Sequence, residues 1–72
     1  MHLTQSEALA AIASGETLVG STRSDYPNEV VEHKPRKDVV GGKPTGHPDY
    51  YPWHVVGRPD HARLRTSELK IR

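Results

Sequence analysis

The chain contains no cysteine and no phenylalanine, and only one tryptophan and one methionine. Without cysteine, neither a disulfide nor a thiolate metal centre can brace the fold. The same absence suits a reducing compartment, so the expected location is the cytoplasm. There is no long apolar run. The opening Met1-His2-Leu3-Thr4-Gln5 has no basic region and no hydrophobic stretch, so no signal peptide, transit peptide or membrane partner is expected. An excess of charge of one sign is also missing, since the formal net charge is only +1.

What is present fits one small domain spanning residues 1–72. A chain of this length buries only about 60% of its unfolded surface. Its large apolar residues run from Leu3, Leu9 and Ile12 through Leu18, Val19, Val30, Val31, Val39 and Val40 to Trp53, Val55, Val56, Leu64, Leu69 and Ile71. They suffice for one thin core. An enclosed enzyme pocket of roughly 300 Å³ or more would be hard to build from them, whereas a surface site or a dimer interface would not. Alanine, glycine, proline and arginine are plentiful, as in a GC-rich coding sequence of bacterial, phage or mobile-element origin.

Charge is unevenly distributed along the chain. Up to Glu32 five acids face the single base Arg23, and beyond it nine bases face four acids. Two outcomes are open: a basic face, or halves that pack together and neutralise each other.

Thr4-Gln5-Ser6-Glu7 has the form of a capping box, followed by helix-forming Ala8 to Ala13, with Leu9 and Ile12 on one face and Gly15 as the stop. A helix of about ten residues is too short to stand alone. Strands follow at Thr17–Thr22, Val30–His33, Val39–Val40 and Trp53–Gly57, and over Ala62–Ile71. Asp25-Tyr26-Pro27-Asn28 and Arg58-Pro59-Asp60-His61 are turns. The spacing predicts a hairpin of Val30–His33 with Val39–Val40 around Pro35. In the last strand Leu64 and Leu69 are out of phase, so a bulge or bend is expected at Ser67-Glu68. The expected fold is α+β: an N-terminal helix packed on a small, strongly bent antiparallel sheet of four or five strands, a half-barrel or SH3-like arrangement.

The segment Gly46 to His54 is the densest in chemistry, with the only Trp, two of three Tyr, two of five His and two of six Pro. Rings held between prolines lose little entropy on contact. The cluster is either the lid of the core or a face for a partner. Tyr50 and Tyr51 are adjacent and alternate in extended backbone, so one is expected inward beside Trp53 and the other exposed. A lone Trp in so short a chain is ordinarily core.

Gly41-Gly42-Lys43-Pro44-Thr45 lacks the spacing and following helix of a phosphate loop. No serine sits in a nucleophile elbow, and no paired carboxylates suggest acid–base work, so no enzyme is expected. Two binding readings remain. The first is a non-enzymatic protein-binding module, a regulator, inhibitor or accessory subunit of a larger protein, since Tyr, Trp and Arg dominate binding hot spots. The second is DNA or RNA binding, with Tyr50, Tyr51 and Trp53 stacking bases while Lys43, Arg58, Arg63 and Arg65 meet phosphates. The candidate contact residues are the same seven on either reading. The sequence leaves the oligomeric state open, a dimer included.

His47, Asp49, His54, Asp60 and His61 are of ligand type but have no recognisable metal spacing, so no cofactor or metal is expected. Calorimetric titration with zinc at neutral pH should give no stoichiometric sub-micromolar site. Such a site, lost on His47→Ala or His61→Ala, would reopen a metal role.

Overall fold

The computed structural model describes residues 3–36 and 50–72, and the backbone of Val39–Val40 and Lys43–Pro44. The glycines and Thr45 of the rejected phosphate loop, and the candidate ligands His47 and Asp49, lie outside the described residues.

Helix α1 (Gln5–Ala13) begins at the expected capping box. Thr4 Oγ1 accepts from the Glu7 amide at 3.2 Å, and the Glu7 carboxylate accepts from the Thr4 amide at 2.9 Å. These bonds hold the Glu7 carboxyl below its ordinary range. The helix ends in a Schellman motif. Gly15 has φ +84°, its amide donates to Ile12 O, and the Glu16 amide donates to Ala11 O. The buried face differs from expectation. Ala8 and Ala11 are buried, Leu9 and Leu3 pack against the rim, and Ile12 is 37% exposed. Methyl side chains let the helix lie close on a thin sheet, where a Leu9–Ile12 face would hold it off.

Among the described residues seven short strands follow: β1 (Leu18–Gly20), β2 (Val31–His33), β3 (Val39–Val40), β4 (Lys43–Pro44), β5 (Trp53–Val55), β6 (Arg63–Leu64) and β7 (Leu69–Ile71). The architecture is α+β. A two-stranded antiparallel sheet, β1–β7, and a three-stranded one, β2–β5–β6, are joined by a bridge between Val19 and Val30. Across that joint the strands lie in the order β7-β1-β2-β5-β6, so the first and last strands are neighbours. β3 and β4 form a separate pair.

The predicted hairpin of β2 with β3 around Pro35 is not formed. β2 pairs instead with β5, setting Val31 opposite Val55 and His33 opposite Trp53, and β3 pairs with β4. The physical reason is burial. The long-range register places Val31 beside Val55 in the core, with Trp53 on the neighbouring position, which a local turn would not do.

The break in phase near Ser67 is real and takes the form of a 3₁₀ helix, Thr66–Glu68. The Glu68 carboxylate accepts from the Arg65 amide at 3.0 Å, closing that turn. The detour allows Leu64 and Leu69 both to be buried. Beside it, opposite Leu69, Gly20 is packed so closely that a Cβ would meet Tyr26 O and Ser24 Oγ. Asn28, at φ 62°, supplies the left-handed residue of the Asp25–Asn28 turn.

Thr4→Ala should destabilise the protein by about 1 kcal/mol. Urea unfolding followed by circular dichroism would measure it, and an unchanged midpoint would mean that α1 does not depend on its cap.

Candidate interaction surface

Trp53 opens β5 and is fully buried, so it is core and not part of an exposed contact face. Its burial agrees with a lone Trp being core and removes Trp53 from the seven candidate contact residues. Its indole N–H donates to Thr66 Oγ1 at 2.9 Å. The Thr66 hydroxyl donates to Gln5 Oε1 at 2.8 Å. Gln5 Nε2 lies 3.4 Å from His33 Nε2, and the His33 ring returns to Trp53 with centroids 4.7 Å apart. This circuit ties the first residue of α1 to β2, β5 and the 3₁₀ helix.

The expected pairing of one tyrosine with Trp53 also fails. Tyr50 is 65% exposed and Tyr51 38% exposed. The ring beside Trp53 is His33, delivered by the β2–β5 register, while buried Pro52 occupies the inward position just before the strand. Tyr51 turns toward Arg65. Its hydroxyl accepts from Arg65 Nη2 at 3.1 Å, and the guanidinium carbon stands 5.1 Å from the ring centroid.

Between these elements lies an open groove of about 460 Å³, walled by Pro35, Tyr50 and Pro52 and edged by Gln5, His33 and Arg65. Thr66 and Ser67 complete it. Of the residues singled out from sequence, the groove brings together Tyr50 and Arg65, with Tyr51 bracing the latter. Gln5, His33, Pro35, Pro52 and Thr66 were not foreseen. Pro52 stood in the aromatic segment and could have been suspected, but nothing local marks Gln5 or His33, because a distant pairing brings them there.

The remaining basic candidates have other occupations. Arg63 is corrected from surface contact to interior: its side chain is 3% exposed. Its Nε donates to Asp60 O at 2.8 Å and its Nη2 to Asp60 Oδ1 at 2.7 Å. Its Nη1 donates to Lys34 O at 2.7 Å and to Tyr51 O at 3.3 Å. Arg58 grips Glu29 with a two-pronged ion pair at 2.9 and 2.8 Å and covers the Tyr26 ring. It does not line the groove. Of Lys43, the backbone in β4 is described and nothing further.

His54 is buried. Its Nε2 lies 2.9 Å from Arg58 O and 3.2 Å from Pro59 O. Two carbonyl neighbours require Nε2 to carry the proton. Nδ1 then faces the Glu32 carboxylate at 3.8 Å without a hydrogen bond. Among the described residues, no three or more side chains of ligand type come together to hold a metal.

Family models, curated proteins and solved structures were compared with the chain, and none matches.

Arg63→Met should destabilise the fold by about 2 kcal/mol or more, because the part-buried bonds to the carbonyls of Lys34, Tyr51 and Asp60 lose their donor. Arg63→Lys should rescue little, since an ammonium lacks the fork that reaches several oxygens at once. The Asp60 carboxyl is lowered below its ordinary value by the hydrogen bond from Arg63 and, secondarily, by nearby positive charge. Its contribution is therefore present above the unfolded value of about 4 and lost as pH falls through the folded one. Urea midpoints of wild type and both variants, at neutral and acid pH, test the clasp. A wild-type-like Arg63→Met protein would show that the carbonyls find other partners.

Proposed function

We propose that the chain is a non-enzymatic docking module that acts on a larger protein in the cytoplasm, as a regulator, inhibitor or accessory subunit. The observation that carries this reading is the groove: an exposed Tyr50 and a braced Arg65 on a rim fixed from below by the Trp53–Thr66–Gln5 circuit. Tyr and Arg are the side chains that most often supply binding hot spots. Prolines on the walls and an arginine already held by Tyr51 reduce the ordering cost of contact. Docking of this kind needs neither a cofactor nor an enclosed cavity, which suits so thin a core.

Nucleic-acid binding is less well supported. Trp53 is buried and offers no face for stacking, while Arg58 and Arg63 are engaged within the protein. Among the described residues no helix is long and apolar enough to cross a membrane.

Tyr50→Ala and Arg65→Ala should leave the melting midpoint close to that of wild type and weaken partner binding by about 1–2 kcal/mol or more. The test is capture from the source cells with wild-type and variant baits, followed by calorimetry with the captured protein. Binding unaffected by either substitution would remove the groove from the reading. Trp53→Ala should instead unfold the domain, since truncating a buried Trp costs roughly 3–5 kcal/mol. An affinity that collapses steeply with salt and follows a copurifying nucleic acid would favour the second reading.

A further inference from the structure

We infer that the groove accepts an extended acidic segment of the partner protein, with a carboxylate seated on the Arg65 guanidinium and an adjoining apolar side chain against Tyr50 and the prolines. The inference rests on the docking reading and adds the chemistry of the occupant.

Charge accounting over the described residues points to it. Arg58 is neutralised by Glu29, and Arg63 by Asp60, which also stands 3.8 Å from Lys34. Arg65 differs. No carboxylate among the described residues lies within ion-pair distance of its guanidinium. The acid nearest in sequence, Glu68, is turned to the Arg65 backbone amide at 3.0 Å. What holds the guanidinium is Tyr51, through its hydroxyl and its ring. An aromatic brace fixes direction and brings no carboxylate, and Glu68 adds only an attraction from beyond ion-pair distance. One nitrogen, Nη2, is used on Tyr51, and the other N–H groups of the fork keep the geometry that receives a carboxylate.

The rest of the lining agrees. None of the described residues that line the groove is acidic, and Gln5 and His33 add polar groups to the lining beside Arg65. A basic segment would meet repulsion there. A neutral one would find the apolar walls but no ion pair. The walls also say how the segment is held. Pro35 and Pro52 have no amide N–H to offer, so contact at the walls is through side chains and not through strand addition. An extended backbone presents its side chains alternately, which lets one carboxylate meet Arg65 while an apolar neighbour lies on Tyr50.

The test uses the full ¹⁵N-labelled chain titrated with three short acetylated peptides of one leucine–proline frame. They carry glutamate, glutamine or lysine at the same positions. A fourth probe is oligothymidylate. The glutamate peptide is expected to move the resonances of Gln5, His33, Arg65 and Thr66, and to bind about tenfold more tightly than the glutamine peptide, as one charge-assisted hydrogen-bonded pair allows. The lysine peptide is expected to bind least. Arg65→Gln should abolish the preference for glutamate over glutamine while keeping the dispersed spectrum of the folded protein. Equal binding of the glutamate and glutamine peptides at the groove would overturn the acidic occupant and leave docking intact. Failure of all three peptides to bind would also overturn it. Oligothymidylate binding at the groove through Arg65, in preference to every peptide, would overturn both this inference and the docking reading.

Discussion

Four oxygens from three residues converge on the Arg63 guanidinium, and most of the geometry around the groove depends on that convergence. Lys34 O and Tyr51 O belong to the two roots of the longest connection in the chain, the one that joins β2 to β5. Arg63 Nη1 reaches both roots, and the Lys34 amide adds a bond to Pro52 O at 2.8 Å. The ends of a long connection are entropically costly to bring together. A buried cation with several acceptors offsets that cost only if all of them are in place, because each missing one leaves a desolvated group behind. Tyr50 and Pro52 stand just beside the clasped root, so the groove wall inherits its position from a buried guanidinium.

Trp53 plays the complementary part. It fills the core against residues such as Val55, Leu64 and Leu18, and its only polar atom is spent on Thr66, a groove residue. Core packing and groove shape therefore share a side chain. In a domain this small there is no separate scaffold under the site. A change that loosens the core loosens the groove, and only substitutions on the rim, at Tyr50 or Arg65, can separate binding from folding.

Features set by a few neighbouring residues were legible in the sequence: the capping box at Thr4 and Glu7, the left-handed stop at Gly15, and the interruption between Leu64 and Leu69. Each is fixed by local chemistry and survives whatever packs on it. Pairing was not legible. Val31 has equal propensity for a strand beside Val39 or beside Val55, and only burial in three dimensions decides. The same limit applied to the arginines. Arg58, Arg63 and Arg65 look alike in sequence and read as one basic patch. Folding gives them three different environments: a surface latch to Glu29, a buried clasp on Asp60, and an aromatic brace on Tyr51. One ion pair joins the halves, with Glu29 of the acidic half neutralising Arg58 of the basic half.

The three environments also differ in what the fold stands to lose. Removing Arg63 would take the donor from the carbonyls of Lys34, Tyr51 and Asp60, and removing Arg58 would leave the Glu29 carboxylate without its ion pair. Arg65 is exposed, and its bond to Tyr51 ties together surface groups whose contribution to stability is small. A guanidinium placed with that little structural return, pointed by an aromatic ring and without a carboxylate partner among the described residues, fits an occupant from outside the chain. The apolar walls beside it restrict that something further. Water would satisfy the cation by itself, but it would not satisfy Tyr50 and two prolines. A single occupant that brings both a carboxylate and apolar surface satisfies all of them at once, which is why the groove and the cation are explained together by an acidic segment and not separately.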